Sequence, residues 1–140
     1  MLNLAVHYRM LYLAMVQAHQ TCKNMVFQQD HSFFAEVYSM MESNYDAIIE
    51  RIIGLKGAEL VNLQQIMSKV VADLASFPSE VKENADYYKY LQSHLNQVLQ
   101  EIEQLAKADD LSQGTINLIV GQADAIEILQ YKIKQRLGGK

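Results

Sequence analysis

The sequence predicts an all-helical protein built from four long helices, with a fifth, short helix in the connection between the second and the third. Three observations lead there. Leu, Ile, Met, Gln, Glu and Ala dominate the chain, and all of them except Ile are strong helix formers. Breakers are sparse: proline occurs once, at Pro78, and the 6 glycines fall at a few points. Apolar residues recur at spacings of three and four, and no useful stretch alternates with the period of a strand.

The first helix is expected from about Asn3 to Gln20, where Leu4, Leu11, Met15 and Ala18 share a face. The segment TCKNMVFQQ breaks it. Asp30 suits the N-cap of the second helix, which continues to about Leu55 and ends at Gly54 and Gly57. Phe34, Tyr38, Met41, Tyr45, Ile48 and Ile52 form its expected core stripe. Residues 58–76 read as the short amphipathic piece. After Pro78, Ser79 followed by Lys82 and Glu83 suggests the start of the third long helix, which runs to about Ala108. KADDLSQG is the next turn, and Ser112 caps the fourth helix, from about Gln113 to Leu137. Its expected core face is Ile116, Ile119, Val120, Ala123, Ile126 and Ile133. Four long helices joined through one long central connection make a ferritin-like four-helix bundle rather than a simple up-down one. A single ferritin-like domain is expected over residues 1–140.

The net charge of −4 opposes non-specific binding to phosphate backbones. No run of about 18 apolar residues is present, so no membrane span is expected. The apolar start lacks a basic region and is interrupted by His7, Arg9, Gln17 and His19, so it does not read as a secretion signal. A lone cysteine, Cys22, allows no internal disulfide and reads as a small buried group in a reducing, cytoplasmic setting.

The second helix carries a polar stripe beside its core stripe. With His31 at zero, a turn of roughly 100° per residue puts Ala35 near 40°, Glu42 near 20°, Asp46 near 60° and Glu50 near 100°. Asp46 and Glu50 are neighbours at i and i+4 and can reach one cation together. His31 lies 15 residues before Asp46, roughly 22 Å away along the axis, whereas metal–ligand bonds are about 2.0–2.2 Å. One ion cannot take both from the same helix. An antiparallel second copy of the helix, paired about a two-fold axis near residue 40, brings His31 of one chain to Asp46 and Glu50 of the other. His19, near the end of the first helix, falls close to His31. Two imidazoles and two carboxylates suit iron, zinc or manganese. None of the four histidines has a Glu three residues before it, which disfavours the intrachain di-iron pattern. The plainer reading of Asp46, Glu50 and Arg51 is a solvated helix face, with His31 simply in the first turn of a helix and His19 a half-buried side chain.

The intervals His19, twelve on to His31, fifteen on to Asp46 and four on to Glu50 resemble those of the Dps miniferritins, ferritin-like proteins of bacterial oxidative-stress defence. DAIIERIIGLKG is similar to that family's stretch at the end of the second helix, which carries a D-x-x-A-E-R pattern. TINLIVGQADAIEILQYKIKQRL is similar to its T-A-D-L-L segment with the following Glu, here Glu127. The resemblance covers residues 4–137. It implies a shell of about twelve identical subunits with ferroxidase sites at the two-fold interfaces. His19 and His31 would come from one subunit and Asp46 and Glu50 from its neighbour. Fe(II) would bind there, be oxidised preferentially by hydrogen peroxide, and be stored as ferric mineral; another divalent metal such as zinc fits the same donors. Carboxylates favour Fe(III), and the histidines must be neutral to ligate, so binding is expected to weaken below roughly pH 6.

The sequence departs from that family in three places. Ala35 stands where an Asp is usual four residues after the second His, and the neighbouring Glu36 points about 100° further round. Gln20 stands where a Trp is usual beside the first His, and the chain has no Trp; Tyr38 and Tyr45 are the nearest electron-donating alternatives, although they sit on the apolar stripe. The first eight residues contain no Lys or Arg, so the basic tail with which family members bind DNA is missing. Lys132, Lys134, Arg136 and Lys140 read as cations at a helix C-terminus. Asp109 and Asp110, before the fourth helix, are candidates for an acidic iron-entry pore, or else simply a solvated turn. The second functional reading is a shell that only assembles or condenses DNA, its metal site weakened by Ala35.

Overall fold

A computed structural model describes residues 1–139; Lys140, counted above among the C-terminal cations, lies outside the described residues. The described residues are helical apart from turns: α1 spans Leu2–Thr21, α2 Phe27–Lys56, α3 Leu63–Asp73, α4 Asn84–Lys107 and α5 Gln113–Arg136. Two compact units divide them, Met1–Tyr87 and the residues from Tyr88 on.

In the first unit α1 and α2 form an antiparallel hairpin, as a short connection enforces. α1 contributes Leu4, Tyr8, Met10, Leu11, Met15 and Ala18 to its core, every one at or near 0% exposure. α2 contributes Phe34, Val37, Met41, Ile48 and Ile52. Each fully buried aliphatic or aromatic chain contributes about 1.5–3 kcal/mol, so this face is what holds the two helices together. α3 packs on α1 through Ile66 and Val70. The connection between α1 and α2 is tightly made. Residues 22–26 turn with Asn24 in the left-handed region at φ 76°, which Asn tolerates. At the far end of α2, Gly57 adopts φ 99° while its N–H closes onto the Ile53 carbonyl. Only glycine takes that conformation without strain.

In the second unit α4 and α5 are antiparallel. The Arg136 guanidinium lies 5.1 Å from the centre of the Tyr88 ring. Gln130 Nε2 donates to Asn96 Oδ1 at 2.6 Å and to the Gln92 carbonyl at 3.3 Å. Ser112 caps α5 as expected, accepting from the Thr115 N–H at 3.2 Å.

Several expectations need correction. Asp30 is not the N-cap of α2, because the helix begins at Phe27 and the Asp30 N–H already donates to the Val26 carbonyl. The Asp30 side chain is fully buried instead. Ser79 does not start α4. The N–H groups of Lys82 and Glu83 both turn to the Asp86 carboxylate, at 3.0 and 3.1 Å, so the helix opens at Asn84. Residues 58–76 are α3 flanked by two short 3₁₀ turns, because extended Val61 and Asn62 interrupt the run. On α5 Val120 is 48% exposed, and Gln122 and Leu129 are buried in its stead. Tyr38 and Tyr45 are half-buried rather than core.

Candidate metal centre

His19 stands in the last turn of α1 and His31 in the first turns of α2, so the hairpin brings them face to face. Their rings stack with centroids 3.6 Å apart and planes 19° from parallel. The backbones aim them. His19 Nδ1 lies 2.7 Å from the His31 carbonyl oxygen, and His31 Nδ1 lies 2.7 Å from the His19 carbonyl oxygen. A carbonyl can only accept, so each Nδ1 carries the proton. In the neutral ring the lone pair is then on Nε2, the tautomer a metal needs, and the carbonyl bond is the usual outer support of a ligating histidine.

Aromatic groups enclose the pair. Phe27, one turn before His31, stacks on its outer face at 4.9 Å. The Tyr38 ring meets His19 edge-on at 5.4 Å, and Tyr12 meets Tyr38 edge-on at 5.9 Å. Beyond them the Arg9 guanidinium lies 5.0 Å from the Tyr12 ring and 4.0 Å from the Tyr45 ring. Cys22 is buried beneath the pair, and its weak S–H bond also goes to the His19 carbonyl, at 3.5 Å. Burial raises its thiol pKa, and the Asp30 carboxylate raises it further, against a smaller backbone hydrogen bond. A thiol kept protonated is a poor metal ligand.

The other predicted residues lie elsewhere. Asp46 and Glu50 are exposed on the same unbroken helix, roughly 22 and 28 Å along the axis from His31. Ala35 is half-buried one turn after His31, and Glu36 is exposed. Asp109 and Asp110 are exposed in the turn before α5. Among the described residues no three His, Cys, Asp or Glu side chains gather where one ion could hold them. One chain therefore offers an ion two nitrogens in one place and two carboxylates in another, fewer than the four ligands of a closed site.

Sequence reasoning missed the parts that orient the pair. Phe27 was legible in principle, at i−4 from His31. The reciprocal carbonyl bonds and the buried Asp30 carboxylate, which accepts from Asn84 Nδ2 at 2.8 Å, had no local signal.

No family model matches the chain, and no curated protein matches it in sequence. Solved structures do match. One is Dps from Microbacterium arborescens in its high iron form, with a TM-score of 0.83 and 16% identity, covering 98% of this chain and 90% of that one. No helix among the described residues is long and apolar enough to cross a membrane. What the chain shares with that Dps, over nearly the full length of both, is the fold: an all-helical bundle of the ferritin-like class.

Proposed function

We propose that the chain is a Dps-like miniferritin: a ferritin-like domain over residues 1–140 that assembles into a closed shell of about twelve copies and oxidises Fe(II) at sites shared between subunits. Iron is substrate and cargo. His19 and His31 of one subunit would bind it with Asp46 and Glu50 of the next. Hydrogen peroxide would be the oxidant, and ferric mineral would collect in the cavity, protecting a cytoplasm from radical chemistry. Asp109 and Asp110 would line the entry pore.

The observation that carries this reading is the histidine pair. Two stacked imidazoles, each with Nδ1 tied to the other's carbonyl at 2.7 Å, present Nε2 lone pairs, and the carboxylates proposed to complete a site stand roughly 22 and 28 Å away on the same helix. That separation calls for a second copy. The fold shared with Dps supports the same pairing. An open position at such a site admits water or peroxide, and the carboxylates offset the cation's charge and favour the ferric product.

Light-scattering mass and iron loading test it together. The expected outcome is a particle of about twelve subunits that oxidises Fe(II) faster than buffer and retains it. Asp46→Ala with Glu50→Ala is expected to abolish oxidation and leave the particle intact. A particle that neither oxidises nor holds iron sinks the proposal. Ala35, half-buried on the ligand stripe, favours the second reading, a shell with a weakened site that assembles or condenses DNA. Where that shell condenses DNA, a gel shift with steep salt dependence is expected.

A further inference from the structure

We infer that Asn84 is a positioning residue for the histidine pair; the inference rests on the reading of that pair as a metal site. Asn84 opens α4 and is buried, at 5% exposure. Its carboxamide makes three hydrogen bonds. Oδ1 accepts from the Lys23 N–H at 3.0 Å, and Nδ2 donates to the Lys23 carbonyl at 2.7 Å and to Asp30 Oδ2 at 2.8 Å. Both amide hydrogens and the oxygen are used. Turning the amide over would set its NH₂ against the Lys23 N–H, and its oxygen against the Lys23 carbonyl and a carboxylate, so only one orientation is tenable.

The partners give the contact its meaning. Lys23 lies in the turn that leaves α1 after His19, and Asp30 is the residue before His31. One side chain from α4 therefore joins the two backbone segments that carry the imidazoles. Each ring is aimed by the carbonyl of the opposite segment. A separation of about 1 Å between the segments, along these bonds, takes both 2.7 Å contacts out of hydrogen-bonding range at once, and with them the fixed tautomer and ring directions. Thr21 Oγ1 and the Tyr87 hydroxyl meet at 2.5 Å one turn along α4, but that contact holds only the α1 side.

The test is a titration of the assembled protein with Co²⁺, read by its visible absorption, which reports ligand type and geometry. Asn84→Ala and Asn84→Asp are expected to weaken Co²⁺ binding about 10–100-fold and to alter the spectrum. Thr21→Val, which removes the one-sided contact, is expected to lower the melting temperature without changing affinity or spectrum. Wild-type affinity and spectrum in a folded Asn84→Ala or Asn84→Asp variant would overturn the inference. If the wild type binds Co²⁺ no better than His19→Ala/His31→Ala, the reading of the pair as a metal site fails first.

Discussion

Replacing His19 and His31 with Ala in one chain, and Asp46 and Glu50 with Ala in another, removes the two halves of the proposed site separately. Each variant alone is expected to be inactive. Together they are not. In a two-fold pair made of one chain of each kind, one interface site receives the histidines of the second variant and the carboxylates of the first, and is complete; the other receives neither. Equal amounts mixed at random give roughly half mixed pairs, so about a quarter of all sites, and about a quarter of wild-type activity, should return. The figure follows from the roughly 22 Å between His31 and Asp46 along α2, which no 2.0–2.2 Å coordination bond can span within one chain. A site built inside one chain would recover nothing, since neither variant holds both halves. The assay is the initial rate of Fe(II) oxidation by peroxide after the two variants are co-expressed, with shell mass from light scattering and subunit ratio from mass spectrometry. A mixed shell as inactive as its parents refutes the intersubunit assignment, and so does wild-type activity in either parent.

Ala35→Asp adds a carboxylate one turn from His31 and should tighten Fe(II) binding severalfold in an equilibrium titration; unchanged or weaker binding would mean that position does not face the ion. The Cys22 thiol has its pKa raised by burial, so the unfolded thiol ionises first and the stability it contributes is lost as pH climbs through the ordinary thiol range. Urea midpoints should show the wild type's advantage over Cys22→Ala shrinking between pH 7.5 and pH 10, and an advantage equal at both refutes this. Gly57→Ala forces a side chain into φ 99° and against the Glu59 carboxylate, and should cost roughly 1–2 kcal/mol in chemical denaturation. Adding Glu59→Ala should leave most of that loss in place, because the backbone conformation remains.

What was legible in the sequence was what depends on neighbours along the chain. The α1 stripe, the Ser112 cap and the spacing of the candidate ligands all follow from the helical repeat, and the structure has the helices that spacing assumes. Ambiguity began where two residues could serve one function. Ile119 and Val120 are adjacent, a stripe can follow either, and packing chose Ile119. Asp30 carries the usual mark of a helix start, an acid before an apolar run, but its carboxylate is drawn to a residue 54 positions away. Asp86 likewise captures the amides of Lys82 and Glu83 and delays α4. The stacking of His19 on His31 depends on how two helices meet, and no interval in the chain records that. The legible part was the candidate residues and their intervals; the illegible part was what points the two histidines.

α2 runs unbroken from Phe27 to Lys56, and this makes it a gauge as well as a scaffold. Adding one residue between His31 and Asp46 would rotate every later side chain by about 100° and turn the carboxylates off the stripe. Adding seven would restore the phase to within roughly 20° but move the carboxylates some 10 Å further on, off any site set by the original length. Substitution leaves the gauge untouched, provided each residue still suits a helix. A chain of this kind can exchange most of its letters and keep its fold, as the 16% identity at a TM-score of 0.83 illustrates. If those two positions serve the proposed shared site, what it cannot do between them is gain or lose a single residue.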